Sequence, residues 1–230
     1  MNESTRLLAM HQLLDSALPI GGFSHSFGLE TLVQNGRLTT AAGLYDYVSA
    51  MLLQSWSTSD ALIVKAVYRD APSMDWERLW ETERWIHVQR LSAESRSGAE
   101  KMGRRLLQLA AKLHPTFDWK PITAAVSEGR CFGAHPLAHG YTCWLLGAGR
   151  EEAMRGYLYA CIVHCVNSAL RLMPIGQTEG QVLIARLTPL IEDALRESDA
   201  LEPEEAYSNM PMAELGMMAH ERLYSRLFMS

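Results

Sequence analysis

The feature that most constrains this chain is a long apolar stripe near its middle. Met154, Leu158, Cys161, Cys165, Ala169 and Leu172 step by four, three, four, four and three, the rhythm of one helical face sustained over about five turns. Ile162 and Val166 widen the stripe, so it predicts a helix packed on more than one side. Leu44, Val48, Met51 and Leu52 repeat the pattern after Thr39 and Thr40, and Leu106, Leu109, Ala110 and Leu113 repeat it before Pro115. Leu183, Leu187, Leu190 and Ala194 mark a further helix between Gly180 and an acidic, solvated connection at 197–205. Helices are also expected over 7–15, 26–34, 61–69, 76–91 and 212–227. No segment alternates apolar and polar residues for long, so a sheet is not expected. The reading is an all-α, single compact domain of about ten helices spanning 1–230, in which 206–230 is either packed on that domain or a partner-binding C-terminal segment.

Composition supports a packed chain. Of 230 residues, 48% are hydrophobic and 20% charged, a balance that excludes disorder as the main state. The formal net charge of −5 gives no general attraction for nucleic acid or an anionic bilayer, so neither is an expected partner. The apolar run at 157–166 is interrupted by His164 and falls well short of the ~20 residues a membrane helix needs. Residues 1–10 lack the basic start and apolar run of a secretory signal. Four cysteines are too few for a disulfide scaffold of this size, and a cytoplasmic location is expected.

Candidate chemistry is sparse. Cys161, His164 and Cys165 share a helix face and could touch zinc or nickel, but both cysteines lie on the apolar stripe, and core packing is the stronger reading. His135 and His139 stand four apart with Pro136 between them, without the glutamate that a metalloprotease helix carries. Gly21-Gly22 after Pro19 lacks the Gly-Lys-Ser/Thr ending of a phosphate loop and reads as a turn. No nucleophile elbow occurs. Glu100 and Arg104 form an i, i+4 pair on a charged face. The C-terminus is less bland: Leu223, Tyr224, Arg226, Leu227 and Phe228 are residue types that dominate interfaces, and five of the chain's methionines follow position 209.

Three stretches together resemble the UreF family of urease accessory proteins. Residues 13–30 contain Leu18-Pro19-Ile20-Gly21-Gly22-Phe23, then Ser26, Gly28, Leu29 and Glu30, similar to that family's N-terminal signature. Arg171-Leu172-Met173-Pro174-Ile175-Gly176-Gln177 resembles its central segment, and His220-Glu221-Arg222-Leu223-Tyr224-Ser225-Arg226-Leu227-Phe228 its tail. Met102-Gly103-Arg104 fits the family's mid-chain pattern, whereas Gly98-Ala99 stands where that pattern has Ala-Ser. The resemblance implies a non-enzymatic all-α homodimer without cofactor that binds UreD (also called UreH), recruits the GTPase UreG, and helps deliver nickel to the urease apoprotein. On that basis the partner-binding residues are Pro19, Gly21, Gly22, Phe23, Ser26, Gly28, Glu30, Arg171, Gly176, Gln177, His220, Glu221, Tyr224, Ser225, Arg226, Leu227 and Phe228. No catalytic or metal-ligating residue is assigned, and the chain is expected to offer nickel a passage and not a storage site. An unrelated helical scaffold with a metal-responsive Cys/His site, and a small helical hydrolase, are the rival readings.

Overall fold

The computed structural model describes residues 2–229. Its elements are α1 (Glu3–Leu14), α2 (Leu29–Gln34), α3 (Ala41–Met51), a π-helical stretch (Leu52–Asp60), α4 (Ala61–Asp70), α5 (Trp76–Val88), α6 (Ala93–Leu113), α7 (Lys120–Ser127), α8 (His135–Leu146), α9 (Arg150–Leu172), α10 (Gln177–Leu187), α11 (Leu190–Ala200) and α12 (Pro211–His220). Among the described residues there is no strand, and no helix is long and apolar enough to cross a membrane. The all-α expectation holds.

Local chemistry places most boundaries. The Thr40 hydroxyl accepts from the Gly43 amide at 3.0 Å, and the Ser92 hydroxyl from the Ser95 amide at 3.3 Å, so each satisfies a donor that the first turn leaves orphaned. Pro136 opens α8, and Gly147 closes it with φ +78, a left-handed conformation open to glycine at little cost. The pattern expected as one helix through Leu183–Ala194 is two, because Pro189 cannot donate to the ladder and the chain turns at Thr188–Pro189. The helix expected over 26–34 begins only at Leu29, after left-handed Phe27 and Gly28.

Helices α4 and α8 are buried almost all round. Leu62, Ile63, Val64 and Val67 are fully enclosed, each contributing about 2 kcal/mol of apolar burial. Close approach depends on glycine: a Cβ on Gly103 of α6 would stand 2.5 Å from the Ala134 carbonyl carbon, and one on Gly140 of α8 would stand 3.2 Å from Val64 Cα. One core cluster joins α4–α8. The other gathers α2, α3 and α9–α12 around α9, whose inner face is the stripe through Met154, Leu158, Cys161, Cys165 and Ala169. Lys65 crosses between them, donating to the carbonyls of Ser198, Asp199 and Leu201 at 3.3, 3.2 and 2.6 Å and so capping the end of α11.

The π-helical stretch was not foreseen. Its wider turn changes the phase of the side chains and brings Ser55, Trp56, Ser59 and Asp60 to an interior cavity.

Candidate functional site

Two of the three sequence motifs meet around one buried carboxylate, and the start of the third joins them. Glu30, on the first turn of α2, is 1% exposed. It accepts from the backbone amides of Leu227 at 2.6 Å and Phe228 at 3.0 Å, from His220 Nε2 at 2.9 Å, and from Gln34 Nε2 at 3.4 Å. A buried carboxylate needs this density of donors. His220, closing α12, donates from Nδ1 to Glu94 of α6 at 2.8 Å, and Arg226 donates to the other oxygen of Glu94 at 2.6 Å. Burial alone would raise the Glu94 pKa, but the bonds from His220 and Arg226 outweigh it and hold the carboxyl below its ordinary value.

The helix expected to run to Leu227 therefore ends at His220. From Glu221 on, the chain is an irregular strap whose amides bond to Glu30 and not to each other. Gln34 also donates to the Ser225 carbonyl at 2.9 Å, and the Met229 amide to the Ser24 carbonyl at 2.8 Å. Phe228 is buried beneath Arg171, whose guanidinium lies 4.5 Å from the ring centroid and donates to the Phe23 carbonyl at 3.0 Å. One arginine thus clamps the glycine turn and the tail together.

The other predicted residues sort by exposure. Gly21 is left-handed, with φ +90, as is Gly28, with φ +82. A Cβ on Gly28 would stand 2.9 Å from the Ala213 carbonyl of α12, so this glycine is required for α2 and α12 to touch. Ser26 is buried and accepts from the Glu30 amide at 3.4 Å, while the Pro19 carbonyl accepts from Arg105 at 3.3 Å. Gly22 is buried against the His164 ring. Gly176 and Gln177 open α10, exposed and outside this hydrogen-bonded set, and Glu221 is exposed at the end of α12. Facing outward are Phe23 (68% exposed), Tyr224 (106%), Leu227 (52%) and Met229 (55%). Glu94 and Gln34 were not singled out in the sequence. Glu94 looks like an ordinary first-turn acid, and only the fold brings it to His220.

Behind the turn lies a cavity of about 70 Å³. His25, His135, His164, Cys161, Tyr157, Asp60 and Arg90 line it, with Gln89 and Ser208 at its exposed rim. Arg90 is ion-paired with Asp60, which also accepts from the Tyr157 hydroxyl at 2.8 Å. Burial, reinforced by the Lys101 charge, pulls His25 down to about 4, and burial likewise lowers His164 and His135. Burial raises the Cys161 thiol, with Asp60 adding to the shift. His139 donates to the Ala153 carbonyl at 3.0 Å. Among the described residues, no three His, Cys, Asp or Glu side chains converge as a metal site. The chamber offers neutral imidazoles, a protonated thiol, and a carboxylate already engaged by a guanidinium.

The chain is 32% identical over 225 residues to urease accessory protein UreF of Bacillus sp. (strain TB-90), covering 98% of this chain and 99% of that one. It is 33% identical over 234 residues to its counterpart in Thermosynechococcus vestitus, with both chains fully covered, and 32% identical to that of Arthrobacter sp. over 97% of this chain and 96% of the other. The sequence model of the UreF family matches residues 38–188, a span that includes α3 through α10 and the clamp residue Arg171. The chain belongs to the UreF family of urease accessory proteins.

Proposed function

We propose that this chain is a non-catalytic scaffold of urease maturation. It binds UreD/UreH through the tail and recruits the GTPase UreG through the face that carries the glycine turn and Arg171, so that nickel reaches the urease apoprotein. It works in the cytoplasm as a homodimer. The observation that carries this reading is the division of labour in the tail: Glu30, His220 and Phe228 are buried and hold the strap, while Tyr224, Leu227, Met229 and Phe23 are presented to solvent. Large apolar side chains exposed on a fixed backbone suit a partner, because the strap's ordering entropy is met by bonds inside the chain. Arg171 serves here as a clamp, its guanidinium committed to Phe23 and Phe228, and not as a finger for a partner's phosphates.

For nickel, the chamber suits transit better than storage. Neutral imidazoles can ligate a cation, but among the described residues no three His, Cys, Asp or Glu side chains converge on one point and burial raises the Cys161 thiol pKa, so a cation would be held loosely and can be passed on. The test is co-expression with UreD and UreG, purification through a tag on this chain alone, and native mass measurement. Two copies of each protein in one complex are expected. Elution of this chain alone, folded and beside active partners, would refute the reading.

A further inference from the structure

The outer face of α6 carries charge that nothing inside the molecule uses. Lys101, Arg105, Gln108 and Lys112 are exposed and step by four, three and four, so they form one narrow stripe about 16 Å long. Among the described residues none of its three cations pairs with a carboxylate. The acids nearest in the helix are already engaged, Glu94 by His220 and Arg226 and Glu100 by His87 and Arg104. Lys112, in the last turn, suits the helix dipole, but Lys101 and Arg105 stand four apart in mid-helix, where like charges cost a helix stability. The glycine turn lies along the same face. Its Pro19 carbonyl accepts from Arg105 at 3.3 Å, and its other end rests on α6 too, since a Cβ on Gly98 would stand 2.5 Å from His25 Cε1. Between these two contacts in the chain, Phe23 is 68% exposed. An exposed aromatic beside a row of unpaired cations has the core-and-rim pattern of a protein interface.

We infer that this face of α6 is a basic rail for the protein that seats on the glycine turn, and that the matching surface of that protein is acidic. This rests on the recruitment reading above, in which that protein is UreG, and adds the chemistry of the contact. A nucleic acid fits less well, because three cations on a chain of net charge −5 neutralise few phosphates. The rail acts mainly on encounter: it steers an acidic surface toward the turn and sets its orientation, while Phe23 supplies the apolar contact that holds it.

The test is the association of UreG with the complex of this chain and UreD, followed by stopped flow at about 50 mM and about 500 mM salt. Lys101→Glu/Lys112→Glu reverses two charges that bond to nothing in the fold, so the melting temperature of the variant should stay at the wild-type value. Its association rate at low salt should fall about tenfold and lose the salt dependence that the wild type shows, with dissociation changed less than about threefold. Lys120→Glu/Arg196→Glu, on α7 and α11, reaches the same net charge and should associate at the wild-type rate. A reversed rail that associates as fast as the wild type overturns the inference. An equal loss in the α7 and α11 control also overturns it, because the effect would then belong to net charge and not to the stripe. Retention of a duplex DNA oligonucleotide by the wild type at about 150 mM salt, lost in the reversed variant, would assign the stripe to nucleic acid and overturn it as well. The two readings fail distinguishably: a wild-type complex that does not bind UreG at all refutes recruitment and the rail together, whereas undiminished association of the reversed variant refutes the rail alone.

Discussion

Replacing Glu30 with alanine removes the carboxylate on which the strap is hung. Two backbone amides, at 2.6 and 3.0 Å, lose a charged acceptor, and His220 loses one of its two partners. Hydrogen bonds to charged groups contribute about 1.5–3 kcal/mol each, so the two amide bonds represent about 3–6 kcal/mol before compensation. Compensation is large here, because a released strap returns its amides to water; the net loss of tail docking is about 3 kcal/mol, or about 100-fold in its equilibrium. Amide hydrogen exchange at Leu227 and Phe228 reads this directly, as does tryptic cleavage after Arg222 and Arg226. Both should accelerate about 100-fold, with a much smaller change for the enclosed amides of α4. Glu30→Gln keeps one carbonyl acceptor and should fall between the two. Unchanged protection at Leu227 and Phe228 in Glu30→Ala would refute the assignment of Glu30 as the tail's anchor, and so would a loss of protection spread evenly through the molecule.

Three further perturbations test the frame that holds this site. Lys65→Met leaves the carbonyls of Ser198, Asp199 and Leu201 without their donor and should lower stability by about 2–3 kcal/mol in urea titrations, whereas a neutral result would contradict its capping role. Gly103→Ala forces α6 away from the 133–135 backbone and should cost about 3 kcal/mol or prevent folding; a stable variant with an unchanged melting temperature would show that the crossing is looser than described. His25 and His139 are both held near 4, so between pH 7 and pH 5 the unfolded chain takes up protons that the folded chain refuses. Stability is therefore present above the ordinary 6.5 and is lost as pH falls toward 4, by about 2 kcal/mol per group at pH 5. Urea midpoints at pH 7 and pH 5 check the sign, and a higher midpoint at pH 5 would reverse it.

The helices were legible because their periodicity is local. The stripe from Met154 to Leu172 is an arithmetic property of one segment, and α9 buries it as expected. What escaped the sequence depends on partners distant in the chain. The tail from Leu223 to Phe228 has helical spacing, yet Glu30, nearly two hundred residues earlier, offers its amides a better acceptor than the next helical turn would. The spacing of Leu183 to Ala194 likewise concealed the break at Pro189. Gly98, a departure from the family pattern at the sequence level, turns out to be where the His25 ring rests. The π-helical stretch keeps the apolar spacing of a helix, and its i+5 ladder differs from an i+4 ladder in hydrogen bonding, which the sequence does not display. Resemblance brought the turn, Arg171 and the tail forward together; their contact around Glu30 is what the fold adds, while Gly176 and Gln177 stand apart from it.

The central claim is that an internally anchored strap presents a docking edge, and the double variant Tyr224→Ala/Leu227→Ala tests it most directly. Both side chains point to solvent, and the Leu227 amide bond to Glu30 does not depend on the leucine side chain. Amide protection at positions 227 and 228 should therefore stay at the wild-type level, while affinity for UreD, measured by titration calorimetry, should fall about 100-fold, as when two interface anchors are truncated. Wild-type affinity for UreD in this variant, with the strap still protected, would contradict the account.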